Sequence, residues 1–388
     1  MNGVRMRLDR PLACLLAALI ALSLFTSLKL ARVGFDPSLF VVAGDRYSDP
    51  HAVPPGLAVL GGSAGYDGQF YYRLALDPLT SQPTAFGITF DNPAYRHQRI
   101  LYPTIVRLVS FGHDRFVAAA MLATNFVFFG ALAWFAGSLA QSMGRHALWG
   151  LLIVVDPGLL ITYSRDLVEV VEVTFVVGSL WQWRRGRPVG ATVLLTLAVL
   201  TRETAVLVAV AAAVAYTIDA ARGRSAGPIR WHCFALPIAA LGVVQCALFV
   251  VWGRFPVSDG GSVLGHLPLT GFTDALPPSL LHARGVARIQ IVAWAFVVVA
   301  SLGFAWQLVR TRARSWEVVG FVLYGALMAS VGPSVWAEDI AFLRVFTHCY
   351  VFGSVLVLAS TFDALAAFLA LAAAGTWVVE FGRMVRQS

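Results

Sequence analysis

The feature that most constrains this chain is the recurrence of apolar runs from one end to the other. A run of about 18 residues is long enough to cross the hydrocarbon core of a bilayer as a helix. Only 13% of the residues are charged and 58% are hydrophobic, whereas an ordinary soluble domain is about a quarter charged. The runs are continuous rather than alternating, which favours helices over strands. We therefore predict an all-α, polytopic transmembrane bundle of about ten or eleven helices.

The runs also predict how the chain is organised. We expect one integral membrane domain over residues 1–388, with a first transmembrane helix at 11–30 and the remaining transmembrane helices at 116–380. The first run lacks a following small-x-small cleavage pattern, so we predict a retained helix rather than a signal peptide. Between these parts lies a long first loop at 31–115. Helical periodicity at 100–111 predicts a short interfacial helix within this loop.

Arginines indicate which side of the membrane each connector faces. Further apolar runs lie at 116–142, 147–162, 167–183, 191–200, 205–220, 233–252, 286–309, 318–335, 345–361 and 364–379. Alternating these spans places four short arginine-rich connectors on the side of the N-terminus. They contain Arg145; Arg184, Arg185 and Arg187; Arg222, Arg224 and Arg230; and Arg310, Arg312 and Arg314. Positive charge concentrates in cytoplasmic loops, so we predict a cytoplasmic N-terminus and a non-cytoplasmic first loop.

This sidedness accounts for the net charge of +8, and we expect no nucleic-acid partner. The last run leaves two alternatives. If it spans fully, Arg383 and Arg386 lie on the non-cytoplasmic side, against the rule. Otherwise the last helix lies partly in the interface.

The first loop carries an unusual cluster at residues 66–73, Tyr-Asp-Gly-Gln-Phe-Tyr-Tyr-Arg. The carboxylate of Asp67 has backbone freedom beside it at Gly68, flat rings suited to stacking, and a nearby cation. Such a combination suits a loop that handles a sugar. The alternative is a structured loop capped by Asp67, with the aromatic residues at the bilayer interface, where Tyr and Trp collect.

Ionisable residues inside apolar stretches concentrate on the same predicted side. Asp166, Glu169 and Glu172 recur every three residues, near one helix face. Arg202 and Glu203 stand together at a junction between two runs. Charges within membrane segments are costly and mark either a functional site or groups that neutralise one another. The sequence leaves both interpretations open.

Three segments together carry a family resemblance. They are YDGQFYY at 66–72, YRHQRILYP at 95–103 and LTRET at 200–204. In this order they resemble a group of bacterial membrane proteins assigned to cell-surface glycopolymer (polysaccharide) formation. That group is similar to the GT-C superfamily of polytopic glycosyltransferases, which includes the PIG-V-like mannosyltransferases. The resemblance spans most of the chain, although the helices themselves are generic.

The resemblance implies a GT-C-like fold and a transferase in the bacterial cytoplasmic (inner) membrane. Such enzymes take a sugar from a polyprenyl-phosphate-linked donor on the non-cytoplasmic face, here for a glycan or lipid acceptor. Their first large loop holds an acidic residue that acts on the acceptor, which corresponds to Asp67. The family often has a second acid directly after it, where this chain has Gly68. A single-carboxylate site is therefore implied, and use of a divalent metal ion stays open.

The remaining candidate residues follow from this chemistry. An inverting transfer needs one carboxylate to accept the hydroxyl proton, and guanidinium groups stabilise the departing phosphate. The candidates for phosphate binding are Arg202 and Arg344, with Arg96 and Arg99 as substitutes. The aromatic candidates for sugar binding are Tyr71, Tyr72 and Tyr95. The other candidates for substrate binding are Gln69, Glu203 and Asp166.

Two other classes of function compete with this prediction. In a transporter or flippase, Asp166, Glu169, Glu172 and Arg202 would line a path. In a non-catalytic subunit of a polysaccharide assembly system, Asp67 would be structural. Convergence of Asp67 and the arginines at the membrane surface favours the enzyme, and a path through the middle of the bundle favours transport.

Overall fold

The computed structural model describes residues 9–223, 231–256, 265, 267–275, 286–310, 316–360 and 362–386. Within these ranges, seven helices are long and apolar enough to cross a membrane. Two further apolar helices have 14 and 15 residues. The prediction of an all-α, multi-pass membrane protein is confirmed.

The described residues form helices along the whole chain and two short strand pairs in the first loop. In chain order the α-helices are α1 (Pro11–Arg32), α2 (Gly68–Leu76), α3 (Pro93–His97), α4 (Leu101–Val109), α5 (Val117–Ser142), α6 (Leu151–Val154), α7 (Pro157–Tyr163), α8 (Glu169–Arg184), α9 (Pro188–Thr201), α10 (Val206–Ala221), α11 (His232–Trp252), α12 (Thr270–Ala275), α13 (Val286–Arg310), α14 (Trp316–Ser330), α15 (Pro333–Trp336), α16 (Asp339–Leu358) and α17 (Asp363–Arg386). Strand β1 (Ala43–Gly44) pairs in parallel with β2 (Val59–Leu60), and β3 (Thr84–Ala85) pairs antiparallel with β4 (Ile88–Thr89).

The apolar run at 147–162 is not one helix. The side chain of Asp156 accepts a hydrogen bond of 3.2 Å from the amide of Gly158 and so caps α7. Pro157 occupies the first position of α7, where its missing N–H costs nothing. A side chain on Gly158 would collide with Thr347. The glycine therefore lets α7 pack closely against α16, next to the segment that follows Tyr163.

Helix α1 joins two different ends of the bundle. Before α1, the main-chain carbonyl of Asp9 accepts from the Gln141 side chain at 2.8 Å. Near its C-terminus, Thr26 and Tyr163 share a hydrogen bond of 2.6 Å, and the Lys29 ammonium donates to the Ser164 carbonyl at 2.7 Å. The first loop therefore lies at the end opposite to the C-terminus of α5.

Helix α17 decides between the two alternatives for the last apolar run. At its start, Asp363 pairs with Arg145, at the end of the bundle that holds the C-terminus of α5. At its other end, Arg383 is buried and pairs with Asp339 and with Glu380. The helix therefore runs the full length of the bundle. Arg383 lies at the same end of the bundle as the first loop, and its acidic partners neutralise it inside the protein.

The first loop is folded around the side chain of Gln69. Its amide oxygen accepts from the amide of Gly44 at 3.2 Å and from the Ser48 hydroxyl at 2.9 Å, and its nitrogen donates to the Ala64 carbonyl at 2.9 Å. Every residue of α2 is buried. Helix α4 confirms the short helix predicted at 100–111 and packs against α2. These contacts hold the N-terminus of α2 in one place.

Candidate functional site

Asp67 lies immediately before α2, and its carboxylate pairs with two arginines rather than capping the helix. Its Oδ1 is 3.0 Å from Arg96 Nη1, and its Oδ2 is 3.2 Å from Arg344 Nη1 and Nη2. The side chain of Asp67 is 23% exposed, whereas those of the two arginines are 9% and 10% exposed. The carboxylate is therefore the part of this cluster that a ligand can reach.

Gly68 brings the start of α2 against two backbones. A Cβ atom at this position would lie 2.5 Å from the carbonyl oxygens of Val41 and Arg165. Any side chain here would collide with main-chain atoms that cannot move away cheaply. The single-carboxylate arrangement at Asp67 thus has a packing cause, because the position after it must be glycine.

Arg96 and the acids on either side of it form the first half of a charged network. Its Nε and Nη2 donate to the two carboxylate oxygens of Asp91 at 2.8 and 2.6 Å, while Nη1 faces Asp67. Helix α3 presents this guanidinium, and Asn92 caps α3 by accepting from the amide of Tyr95 at 3.2 Å. Arg96 is thereby fixed between two acids before any ligand binds.

Arg344 forms the other half, on α16. Its Nε and Nη2 donate to Glu169 Oε1 at 3.0 and 2.5 Å. Arg202 approaches the same oxygen with its Nη1 at 3.4 Å. Glu169 is fully buried, so its charge is balanced by the two arginines. The charges thus alternate from Asp91 and Arg96 in the loop, through Asp67, to the buried residues of the bundle, and only the acids at the loop end of this row are partly exposed.

Arg99 joins the aromatic candidates to Glu203. Its Nε and Nη2 donate to the two oxygens of Glu203 at 2.9 and 2.8 Å. Its Nη1 donates to the Tyr71 hydroxyl at 2.7 Å, and Nη2 also donates to the Tyr95 hydroxyl at 2.6 Å. The structure therefore places Tyr71 and Tyr95 beside the charged network with their hydroxyls held by Arg99.

Three predicted residues lie outside the network. Gln69 uses its amide to hold the loop, as described above. Tyr72 is buried, and within the described ranges it makes no hydrogen bond to the network. Asp166 is fully buried, and its carboxylate accepts from Asn125 Nδ2 at 3.3 Å. Asn125 also donates to the Tyr102 hydroxyl at 2.9 Å, and the Tyr102 ring packs edge-on against Tyr71.

Three residues of the site, Tyr66, Asp91 and Glu169, were not among the substrate-binding or catalytic residues predicted from the sequence. Tyr66 accepts from Arg344 Nη1 at 2.9 Å, and its place beside Asp67 was the available signal. Asp91 had no sequence signal, because its partner Arg96 becomes a neighbour only when α3 forms. Glu169 was noted as an ionisable residue in an apolar stretch, and this was the signal for its role between Arg344 and Arg202.

The arginines set the charge state of Asp67. Burial alone would raise the pKa of Asp67, but the positive charges of Arg96 and Arg344 outweigh burial and hold this pKa well below its usual range. The carboxylate is therefore ionised at neutral pH. A strongly paired carboxylate is a weak base toward a free hydroxyl, so it can accept a proton only as that hydroxyl becomes acidic during bond formation.

Asp166 has the opposite electrostatic environment. Burial raises the pKa of Asp166 to about 8, although the hydrogen bond from Asn125 and the positive charge of Lys29 both act to lower it. The folded protein thus holds this proton while the unfolded chain releases it near pH 3.8, so the stability contributed by Asp166 declines as the pH rises from about 4 to about 8. We expect Asp166→Asn to raise the melting temperature by several degrees at pH 8 and to leave it nearly unchanged at pH 4. The positive φ of 48° at this position also suits asparagine.

The measurement is a thermal melt of the purified natural and Asp166→Asn proteins at pH 4, 6 and 8. Asp114→Asn is the matched control, because Asp114 is an exposed acid in an ion pair with Arg107. A melting-temperature difference that stays constant across the three pH values would contradict the assignment of a neutral Asp166.

The acids and arginines of the site do not suit a divalent metal ion. Both oxygens of Asp67 face guanidinium groups, and a cation there would have to displace an arginine. Across the described ranges, no group of three or more His, Cys, Asp or Glu is placed to hold a metal ion.

Comparisons with known proteins identify no family for this chain. No protein-family model matches this chain. No curated protein matches it. The resemblance to the GT-C glycosyltransferases therefore rests on the three sequence segments alone.

Proposed function

We propose that the protein is a membrane glycosyltransferase that moves a sugar from a polyprenyl-phosphate-linked donor to a cell-surface glycan or lipid acceptor. The proposal rests on the convergence of three charged side chains at one place. Asp67, Arg96 and Arg344 come from distant parts of the chain and meet within 3.2 Å. Arg99, from the same resembling segment as Arg96, pairs with Glu203 of the third resembling segment. A partly exposed acid surrounded by buried arginines suits a reaction that moves a proton and releases a phosphate.

In the proposed reaction, the acceptor oxygen bonds to the anomeric carbon while the bond from that carbon to the phosphate oxygen breaks. The hydroxyl proton passes to Asp67, and the bonding electrons leave with the phosphate. Arg202 is suited to receive this phosphate: it is buried, its Nε has no hydrogen-bond partner among the described residues, and its Nη1 approaches Glu169 at 3.4 Å without a hydrogen bond. Planar guanidinium groups bind phosphate oxygens well, and donors already in position stabilise the charge as it forms.

The proposed orientation follows from the two ends of the bundle. The charged network lies near the C-terminus of α1, while Arg145 and Arg184 lie at the other end, where they pair with Asp363 and Glu317. The positive-inside rule then places the arginine-rich end in the cytoplasm and Asp67 on the non-cytoplasmic side of the bacterial inner membrane. A lipid carrier fits this location, because its tail stays in the bilayer while its headgroup reaches the first loop.

One observation favours a second candidate, a transporter or flippase. His348 Nε2 lies 2.7 Å from both carboxylate oxygens of Glu172. This buried pair is one turn further along α8 and α16 than Glu169 and Arg344. Ionisable pairs deep in a membrane bundle often lie on proton or ion paths. A non-catalytic subunit would instead use all of these charges for structure.

Transfer of radiolabelled sugar distinguishes these functions. Membranes containing the protein, and matched membranes without it, receive a panel of polyprenyl-phosphate sugars or nucleotide sugars. We expect label to enter a glycan or lipid product only from a polyprenyl-phosphate donor and only with the protein present. Movement of intact donor across sealed vesicles, without a new glycosidic bond, would instead establish transport. If no donor gave either sugar transfer or movement of the intact donor, the proposed activity would be overturned.

A further inference from the structure

A pair of cavities lies along the seam between α1 and α17. The first, here named the Lys29 cavity, measures about 230 Å³ and is lined by Lys29, Leu39, Val42, Leu60, Ser164, Arg165 and Met384. It lies at the same end of the bundle as Asp67. Its walls combine two cations with apolar side chains, so it suits a ligand that is anionic in one part and apolar in another.

The ammonium of Lys29 is buried with few partners. Lys29 is only 6% exposed. Its ammonium donates one hydrogen bond to the Ser164 carbonyl and lies 4.1 Å from the centre of the Phe40 ring. In the described part of the chain, no carboxylate lies within ion-pair distance of it. A lysine ammonium has three N–H donors, so Lys29 retains donors for a further acceptor.

Arg165 supplies a second cation to this cavity. Its Nη1 donates to the Ser164 hydroxyl at 3.0 Å, and its guanidinium lies 5.5 Å from the centre of the Tyr66 ring. Two acids attract its charge, Asp339 and Glu380, and both are paired with Arg383. Two poorly neutralised cations close together in a membrane protein are costly. An anionic ligand between them would remove that cost.

The second cavity, here named the Trp377 cavity, continues the seam toward the middle of the bilayer. It measures about 230 Å³, and its lining is wholly apolar: Ala17, Ala18, Ala21, Leu22, Phe129, Leu151, Val154, Val155, Ala374, Trp377 and Val378. Ala21 precedes Lys29 by about two helical turns, or roughly 12 Å. The ring pair of Phe25 and Phe381 lies between the two levels, and the exposed Leu24 and Leu28 flank it on the outside.

We infer that this seam binds a lipid with a phosphate headgroup. The phosphate oxygens accept from Lys29 and Arg165 in the first cavity, and the hydrocarbon chain passes outside the Phe25 ring into the Trp377 cavity. Tyr66 connects this site to the Asp67 cluster, because Arg165 and Arg344 both lie over the Tyr66 ring. This site is separate from Arg202, to which the proposed function gives the departing phosphate, so binding of a lipid phosphate here does not rest on the sugar-transfer activity.

Binding is tested on the purified full chain in detergent by native mass spectrometry and titration. The probes are farnesyl phosphate, farnesol, inorganic phosphate and phosphatidylglycerol. We expect farnesyl phosphate to bind at least about tenfold more tightly than farnesol or inorganic phosphate, since it alone of these three fills both cavities. Lys29→Met and Arg165→Gln should each weaken farnesyl phosphate binding by about tenfold, on the scale of one charge-assisted hydrogen bond. Ala21→Trp, which fills the apolar cavity, should also weaken it.

Two controls keep these outcomes interpretable. Arg107→Gln removes a partly exposed arginine paired with Asp114 near the first loop, and it should leave lipid binding unchanged. Lys29→Met should not lower the melting temperature appreciably, because removing the desolvation cost of the buried charge offsets the lost hydrogen bond to the Ser164 carbonyl. Unchanged lipid affinity in both Lys29→Met and Arg165→Gln, or a fall in stability without a fall in affinity, would overturn the inference.

The lipid panel also identifies the source of the phosphate. Preference for farnesyl phosphate over phosphatidylglycerol supports a polyprenyl carrier, and equal competition supports an ordinary anionic phospholipid at the same site. Lipid binding that is retained in a protein without sugar transfer would count against the proposed function and not against this site.

Discussion

Replacement of Asp67 by asparagine is expected to lower sugar transfer by about 10²- to 10⁴-fold, the usual contribution of a positioned general base. The amide has nearly the same shape as the carboxylate but cannot accept the hydroxyl proton. The fold should survive, because Arg96 keeps its contacts with Asp91 and Arg344 keeps its contacts with Glu169. The measurement is the initial rate of label transfer in membranes, normalised to the amount of folded protein.

The matched control for this variant is Asp91→Asn. Asp91 is also a partly exposed acid paired with Arg96, but the proposed mechanism gives it no proton to accept. We expect transfer to fall less than about tenfold, as Arg96 becomes less firmly held. Equal losses in the two variants would reduce Asp67 to a structural role. Full activity in Asp67→Asn would contradict the assignment of Asp67 as the base, and Glu203 or Asp166 would become the candidate base.

Loss of Glu169 is expected to be the largest single cost to stability. Glu169 is fully buried and balances Arg344 and Arg202. In Glu169→Gln, both guanidinium groups stay buried with too little negative charge around them, and breaking such a buried pair costs about 3–5 kcal/mol. Asp114→Asn, which breaks a more exposed ion pair with Arg107, should cost at most about 1 kcal/mol.

A double-mutant cycle tests the physical reason for this cost. The variant that combines Glu169→Gln with Arg344→Met removes both charges of the pair. It should be less destabilised than the sum of the two single variants, because it leaves fewer buried charges without a partner. The measurement is the free energy of unfolding in mixed micelles. Additive effects of the two substitutions would show that the contact between Glu169 and Arg344 contributes little energy.

The membrane class of this protein could be predicted from local sequence. A bilayer requires every backbone polar group of a spanning segment to be satisfied internally, so a long apolar run indicates a helix whatever surrounds it. The same applies to the amphipathic segment that forms α4. The clustering of candidate residues at one end followed from alternating the spans. Asp67, Arg96, Arg99, Arg202, Glu203 and Arg344 do lie in one connected region.

Only the tertiary structure decided which charges meet. Asp67 and Arg344 are separated by 277 positions, and no local pattern links them. Their contact depends on α7 packing against α16 at Gly158 and on Gly68 approaching two carbonyl groups, which are properties of close-packed surfaces rather than of periodicity. The same reason explains Lys29. By sequence it is a charge at the end of a helix, and only the packing of α1 against Phe40 and the segment at Ser164 makes it a buried cation facing a cavity.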